Sequence, residues 1–353
     1  MTKSILKIVM IIIISIVAIA AMYIGFMIVT DYKPDEKISI DIKNNKDQVI
    51  NVNDETSVTT FNIGYGTMDA DVDFFMDGGI MSRGSSKEKA LENLAGIEGI
   101  IENLNSDLVF LQEVDVKATR SFKINQLQRL EDKFTDYSTN FAINFKTPWV
   151  PIPLAKPHGQ VLAGLTTLSK FDINSSTRYD LPGKSSFFVQ LCDLDRAMVV
   201  NRLPVDNGKE LVAINAHLSA YDKGGLVRKV QLGYIKSFLE EEYAKGNYVI
   251  IGGDWNQQMP GTNAFDFKTT EQWPDWLQDI PEDFVPSGYT WAYDKTVPTS
   301  RTVATSYTKG ENLLSVIDGF LVSDNVEIIS TIGTNQDFKY SDHNPVTLKF
   351  KLK

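Results

Sequence analysis

Acids, histidines and amides stand at the ends of apolar runs throughout this chain. Ser341-Asp342-His343-Asn344-Pro345 sets an acid beside a histidine in a polar loop, just before the alternating Val346, Leu348 and Phe350. Such a loop delivers reactive side chains to a sheet edge, although an Asp-His pair in a turn can also be plain solvated surface. Asp318 lies within Val316-Ile317-Asp318-Gly319-Phe320, where a carboxylate is costly without a partner; a histidine would serve as one. Asp254 and Asn256 follow Gly252 and Gly253 at the end of an apolar run, and the glycines allow a sharp turn and close approach of a ligand. His217 ends another run two residues after Asn215, so both share a strand face and both can reach one cleft. Glu113 follows Leu108-Val109-Phe110-Leu111-Gln112, and Asn62 precedes the glycines of Gly64-Tyr65-Gly66. An imidazole steadied by a carboxylate can move a proton near neutral pH, so the pattern points to acid-base chemistry in a cleft.

These residues need elements to hold them. Residues 58–63 are rich in β-branched and aromatic side chains and read as a strand. Ser85 and Glu88 form a capping box for a helix carrying Leu91, Leu94, Ile97, Ile101 and Leu104 on one side. The unbroken apolar run 108–111 belongs to a strand covered on both faces, so Glu113 should emerge at the end of a central strand, where sites form. A second helix places Ile124, Leu127, Leu130 and Phe134 together, and a third spans 223–245. Strands are expected at 137–145, 161–168, 186–194, 197–203, 210–218, 248–251, 313–321, 325–332 and after Pro345, with turns at Pro182-Gly183 and Asn207-Gly208. Two groups of strands interleaved with helices describe a layered α/β sandwich with one cleft. The proline-stiffened apolar segment 147–154 suits a lip of that cleft, a surface that touches lipid, or packing within its own domain. His158, in Lys156-Pro157-His158-Gly159, reads as a surface histidine, and the tryptophans of the long loop after Asn256 read by default as core.

The chain has 353 residues and one cysteine, Cys192, which excludes an intramolecular disulfide and a cysteine metal cluster and reads as a core residue. Ile8 through Val29 is a stretch of 22 residues without a charge; as a helix it spans about 33 Å, enough for a bilayer core. Lys3 and Lys7 precede it, so the positive-inside rule keeps the N-terminus in the cytoplasm and sends the rest outside. Ala18-Ile19-Ala20 has the form of a signal-peptidase site, but the apolar stretch runs on past it, which favours an uncleaved anchor. The expected organisation is a cytoplasmic stub and anchor over 1–30, a polar tether with one edge strand over 31–55, and a catalytic domain over 56–353. The net charge of −10 becomes −12 once Lys3 and Lys7 are set aside. Such a surface has no general attraction for anionic polymers, so a phosphate would need local metal ions to neutralise it.

Taken together, Thr60-Phe61-Asn62-Ile63, Leu111-Gln112-Glu113-Val114, Asn215-Ala216-His217-Leu218, Gly253-Asp254-Trp255-Asn256, Ile317-Asp318 and Ser341-Asp342-His343-Asn344-Pro345 resemble, in this order, the endonuclease/exonuclease/phosphatase superfamily. That group includes deoxyribonuclease I and the neutral sphingomyelinases. The resemblance covers about 57–351 and implies a four-layer sandwich of two mixed β-sheets flanked by helices. It implies metal-assisted hydrolysis of a phosphate ester by in-line attack of water, with Glu113 as the principal Mg²⁺ ligand and Asn62 and Asp342 beside the metal; hard oxygen donors suit Mg²⁺ or Mn²⁺. His343 oriented by Asp318, Asp254 acting on the water, Asn256 on a phosphate oxygen and His217 as a second histidine complete the implied catalytic set. Arg120 and Arg196 could contact phosphate, or could equally be salt-bridged at strand ends. The expected protein is a monomeric, membrane-anchored phosphodiesterase, first an extracytoplasmic nuclease. A phospholipase C or sphingomyelinase-like hydrolase of lipid headgroups is the alternative, ahead of an inositol-phosphate phosphatase or an inactive binding module.

Overall fold

The computed structural model describes residues 2–353 and begins with a long helix, α1 (Thr2–Thr30). Its span Lys3–Thr30 is long and apolar enough to cross a membrane. The domain that follows is built on two seven-stranded sheets. The first sheet takes the order β15-β16-β3-β4-β6-β5-β2 and the second β1-β7-β8-β9-β10-β14-β11. Their central strands are β3 (Thr56–Asn62), β4 (Leu108–Asp115) and β6 (Gly159–Ser169) in one, and β8 (Ala197–Pro204), β9 (Glu210–His217), β10 (Tyr248–Asp254) and β14 (Asp318–Ser323) in the other. β5 (Ser138–Val150), β15 (Val326–Gly333) and β16 (Val346–Leu352) extend the first; β7 (Ser175–Asp180) and β11 (Tyr289–Ala292) extend the second.

Each sheet contains one parallel pair, β3 with β4 and β9 with β10, joined by a crossover helix, α2 (Lys87–Leu104) or α5 (Leu226–Ala244). Alternation along these strands sorts side chains into layers. Leu108, Phe110, Leu211, Ala213, Tyr248 and Ile250 fill the space between the sheets. Val109 and Leu111 face the other way, onto α2 and α3 (Gln126–Lys133), while Val212, Ile214, Val249 and Ile251 face α5. Two mixed sheets flanked by helices make an α/β sandwich. Two polar clasps cross the middle. Gln112 donates to Asn215 Oδ1 at 2.7 Å while Asn215 donates to the carbonyls of Leu111 and Thr166, and Asn140 donates to Asn201 Oδ1 at 2.6 Å.

Several local expectations change. Ser86 rather than Ser85 caps α2, accepting from the Lys89 amide. Residues 186–194 are no strand: Phe187–Gln190 is a short helix, α4, followed by turns, with Phe187 and Phe188 exposed. The polar strand β7 was not foreseen, because its polar, half-exposed side chains carry no apolar signal. The expected tether with one edge strand contains two: β1 (Lys37–Ser39) pairs with β7 and β2 (Ile42–Lys43) pairs with β5, so this stretch laces the edges of both sheets. Short strands β12 (Ser300–Arg301) and β13 (Leu314–Ser315) form a separate ribbon.

Candidate active site

Topology brings the reactive groups to one rim. Asn62 and Glu113 lie at the carboxyl ends of the parallel pair β3/β4, and His217 and Asp254 at those of β9/β10. The flanking strands run the opposite way, so their beginnings reach the same edge. Asp254 is in register with His217 on one side and with Asp318, the first residue of β14, on the other. The loop 341–345 leads into β16, which pairs antiparallel with β3 through Val346 and Thr60. Gly253 serves this arrangement differently from the expected turn at a ligand. It lies inside β10, where an added Cβ would stand 1.8 Å from the Ala216 carbonyl oxygen, so the glycine lets β9 and β10 close up. Gly64, at φ 50°, leaves the room taken by Asp342, whose carboxylate would stand 2.7 Å from a Cβ there.

The resulting cluster is tight. Asn62 donates its amide to Asp254 Oδ2 at 3.0 Å and to Glu113 Oε1 at 3.4 Å, and its oxygen accepts from the Gly64 amide. His343 is flanked by acids, with Nδ1 at 2.9 Å from Asp318 Oδ2 and Nε2 at 3.7 Å from Asp254 Oδ2. His217 Nε2 lies 3.5 Å from Asp254 Oδ2 and 4.0 Å from Glu113 Oε1. The Asn256 amide donates to Asp254 Oδ1 at 2.8 Å, and its side chain donates to the Leu218 carbonyl. Ser341 donates to the Asn62 carbonyl at 2.9 Å and accepts from the His343 amide, which pins the loop to the end of β3. Glu113 itself is held at φ 59°, a left-handed conformation that non-glycine residues seldom adopt and that tends to mark functional positions.

Environment separates the two histidines. Burial works against the His343 imidazolium, but Asp318 and Asp254 outweigh it and hold its pKa well above the ordinary value. Burial, reinforced by Arg196, His343 and Arg120, pushes His217 well below its ordinary value, so that ring is neutral. Burial raises the Asp254 carboxyl to about 6, against the pull of His343 and with the help of Asp318. Glu113 is raised mainly by burial, with Arg120 opposing and Asp342 and Asp254 adding to the rise. A floor on which the acids Glu113, Asp254 and Asp342 face one another calls for a cation, and its donors are hard oxygens, so the residues fit Mg²⁺ or Mn²⁺. Asp254, Asp318 and His343 also place one ligand atom each within 4.8 Å of one another.

The cluster forms the floor of a cavity of about 580 Å³. The two arginines differ. Arg120 is buried, bonded through Nε and Nη2 to Asp115 at 3.1 and 2.9 Å, and its guanidinium stacks 3.7 Å over the Tyr65 ring. Arg196 is also buried and lines the cavity, but no acid lies within salt-bridge distance among the described residues and its Nη1 has no partner. His158 is not a surface histidine: it is buried, lines the cavity, and its Nδ1 lies 2.7 Å from the Ser82 carbonyl oxygen. Its flanking Pro157 and Gly159 were the available hint of a constrained loop. Asn215, expected in the cleft, is fully buried in the clasp between the sheets instead. Asp77, Tyr221 and Arg301 also line the cavity, from segments far apart in the chain whose convergence no local pattern announces.

A fold of two mixed sheets with acids and histidines gathered at one rim defines a phosphoester hydrolase of the sandwich type, and the comparisons agree. The model of the Endonuclease/Exonuclease/phosphatase family matches residues 59–343, and the chain belongs to that family. Among solved structures it is similar to an endonuclease/exonuclease/phosphatase from Beutenbergia cavernae DSM 12333, at TM-score 0.59 and 17% identity over 84% of this chain and 72% of that one. It is also similar to truncated TDP2 from Caenorhabditis elegans, at TM-score 0.52 and 18% identity over 84% and 98% of the respective chains. ANGEL2, a 2′,3′-cyclic phosphatase solved with adenosine-2′,3′-vanadate, matches at TM-score 0.54 and 16% identity over 89% and 99%. No curated protein matches the chain. Members of this family are enzymes that hydrolyse phosphate ester bonds with divalent metal ions.

Proposed function

We propose that the protein is a Mg²⁺-dependent phosphodiesterase. The observation that carries this is the convergence of Glu113, Asp254, His217 and the Asp318–His343 pair at one buried floor, with salt-bridge distances of 2.9 to 4.0 Å between neighbouring groups. Glu113 and Asp342 would hold the metal, with Asn62 fixing Glu113 and Asp254 through its amide; when bound, the ion supplies a positive charge that polarises a phosphoryl oxygen. Asp254, with its raised carboxyl, accepts a proton from the attacking water. His343, kept cationic by Asp318, binds the phosphoryl oxygen or donates to the leaving oxygen, and neutral His217 sits opposite. Asn256 is close enough to Asp254 to steady it, and unpaired Arg196 offers a charge to the substrate phosphate. Mn²⁺ is the expected substitute ion.

Helix α1 is read as an uncleaved single-pass anchor with the catalytic domain outside, on the strength of Lys3 and Lys7 ahead of it. A nuclease finds less support than the bare reaction does. Beyond Arg120, Arg196 and Arg301 the cavity wall is largely apolar; Arg120 is engaged by Asp115 and Arg301 by the Asp69, Val72 and Thr302 carbonyls, whereas a nucleic-acid backbone is gripped by rows of cations. The test is hydrolysis of bis-p-nitrophenyl phosphate with Mg²⁺ or with EDTA, by wild type, Glu113→Ala and His343→Ala. Activity that needs Mg²⁺ and disappears in both variants is the expected result; activity that survives both substitutions defeats the proposal.

A further inference from the structure

From the rim of the cavity we infer that its mouth lies on a membrane and that the substrate is a phospholipid, hydrolysed at its phosphoester while its chains stay in the bilayer. This rests on the phosphodiesterase reading and adds the substrate class to it.

Two neighbouring segments supply the rim. Trp149, Ile152 and Leu154 come from the end of β5 and the loop beyond it, and Phe187, Phe188 and Val189 from α4. All are exposed, Leu154 at 86% and Phe188 at 66%. A contiguous patch of this kind at the mouth of a site marks a surface that meets something apolar. The same segments turn inward: Val150, Ile152, Phe188, Val189 and Cys192 line the cavity. The apolar surface therefore runs without a break from the outside of the domain to a wall above the phosphoester floor. Thr147 donates to the Leu191 carbonyl and ties the two segments together.

Helix α1 meets the domain at this place. The Tyr23 hydroxyl donates to the Trp149 carbonyl at 2.9 Å and lies 3.6 Å from Cys192 Sγ, and Met27 is buried against the domain. Cys192 thus touches the helix on one side and lines the cavity on the other. Tyr23 stands six residues before the end of the uncharged stretch that closes at Val29, which is about 9 Å along a helix. When that stretch is embedded, the Tyr23–Trp149 contact lies within about 9 Å of the headgroup boundary on its acyl side, so the rim dips into the interfacial zone in which Trp and Tyr side chains settle. An apolar wall that opens at headgroup depth onto a floor of acids, histidines and Arg196 fits a molecule with a phosphodiester at one end and hydrocarbon at the other. In the reaction a water oxygen bonds to phosphorus and the phosphorus–oxygen ester bond breaks. The departing alkoxide takes a proton, leaving an alcohol and a phosphomonoester.

The experiment uses the full chain reconstituted in vesicles of equal parts phosphatidylcholine, phosphatidylglycerol, phosphatidylethanolamine and sphingomyelin, with Mg²⁺. Wild type should release a water-soluble headgroup product. The double variant Leu154→Asp/Phe187→Asp changes two rim side chains outside the cavity. It should lose at least about tenfold in vesicle activity while hydrolysing bis-p-nitrophenyl phosphate like wild type. Independently of catalysis, lipids spin-labelled near the headgroup should quench a fluorescence component that Trp149→Phe removes. Wild type that cleaves bis-p-nitrophenyl phosphate but none of the four lipids overturns the lipid inference and leaves the phosphodiesterase reading standing. Failure on both substrates removes that reading itself. Undiminished vesicle activity in the double variant, or absence of Trp149 quenching, overturns the docking of the rim.

Discussion

Replacing Asp318 with asparagine separates two uses of the same cluster, because the change keeps the shape and removes the charge. Asp318 Oδ2 stands 2.9 Å from His343 Nδ1, and both side chains are buried. With about 4 Å between charge centres and an effective dielectric of about 20, the attraction lost is about 4 kcal/mol. The asparagine oxygen can still accept from Nδ1, which returns about 1 kcal/mol. The remaining loss of about 3 kcal/mol falls on a charged His343 in the transition state, so kcat should drop by about a hundredfold to a thousandfold. The assay is steady-state hydrolysis of bis-p-nitrophenyl phosphate across a Mg²⁺ titration, with the melting temperature followed in parallel. The deficit should sit in kcat and persist at saturating Mg²⁺. A variant within about fivefold of wild type would refute the orienting role. A deficit cured by excess metal would instead make Asp318 a ligand, as the close approach of Asp254, Asp318 and His343 would permit.

Glu113→Gln should do the opposite, raising the Mg²⁺ concentration for half-maximal activity by at least about tenfold, since an anionic ligand becomes neutral; a metal titration reads it. Arg196→Ala should cost about 1.5–3 kcal/mol of transition-state binding, about tenfold to a hundredfold in kcat/KM, with little change in melting temperature, because its guanidinium has no acid partner to strand. Arg120→Ala should instead destabilise the fold by about 3–5 kcal/mol in urea unfolding, because Asp115 is left as a lone buried charge. Glu242 tests the electrostatics away from the site. Burial opposes its ionisation, yet hydrogen bonds from Arg202, Lys245 and Asn247 outweigh it and hold the carboxyl down at about 2, below its ordinary 4.5. Its folded pKa is lower than its unfolded one, so its stabilisation is complete above about 4.5 and is lost as pH falls toward about 2. Glu242→Gln should therefore cost about 1–2 kcal/mol at neutral pH, with the gap to wild type closing in acid.

The central strands were legible because sandwich cores demand side chains on both faces, and runs such as 108–111 and 248–251 announce that demand directly. The site followed from them, since polar residues placed where such runs stop must lie at a sheet rim. Phe187 and Phe188 misled for a physical reason. Their hydrophobicity serves an exposed rim, and composition alone cannot tell that use from a buried strand. β7, β1 and β2 were hidden or half hidden because short or polar strands at and beside a sheet edge owe their pairing to neighbours far along the chain. His158 was misplaced on the surface for the same cause: Phe74, Phe75 and Tyr65, the rings packed around it, come from a segment far earlier in the chain. Asn215 shows the limit of face arguments, since a shared face put it between the sheets, and only His217, nearer the strand end, clears them.

The clasp of Gln112 with Asn215 has a corollary for how this molecule ages or fails. Glu113 follows the first of these residues directly and His217 stands two beyond the second, so each half of the machinery is carried by a different sheet. Any loosening of the seam shears acid from imidazole before helices melt or strands separate. Turnover should therefore fade ahead of circular dichroism during gentle warming, which makes catalysis the more sensitive gauge of whether the two halves are still in step.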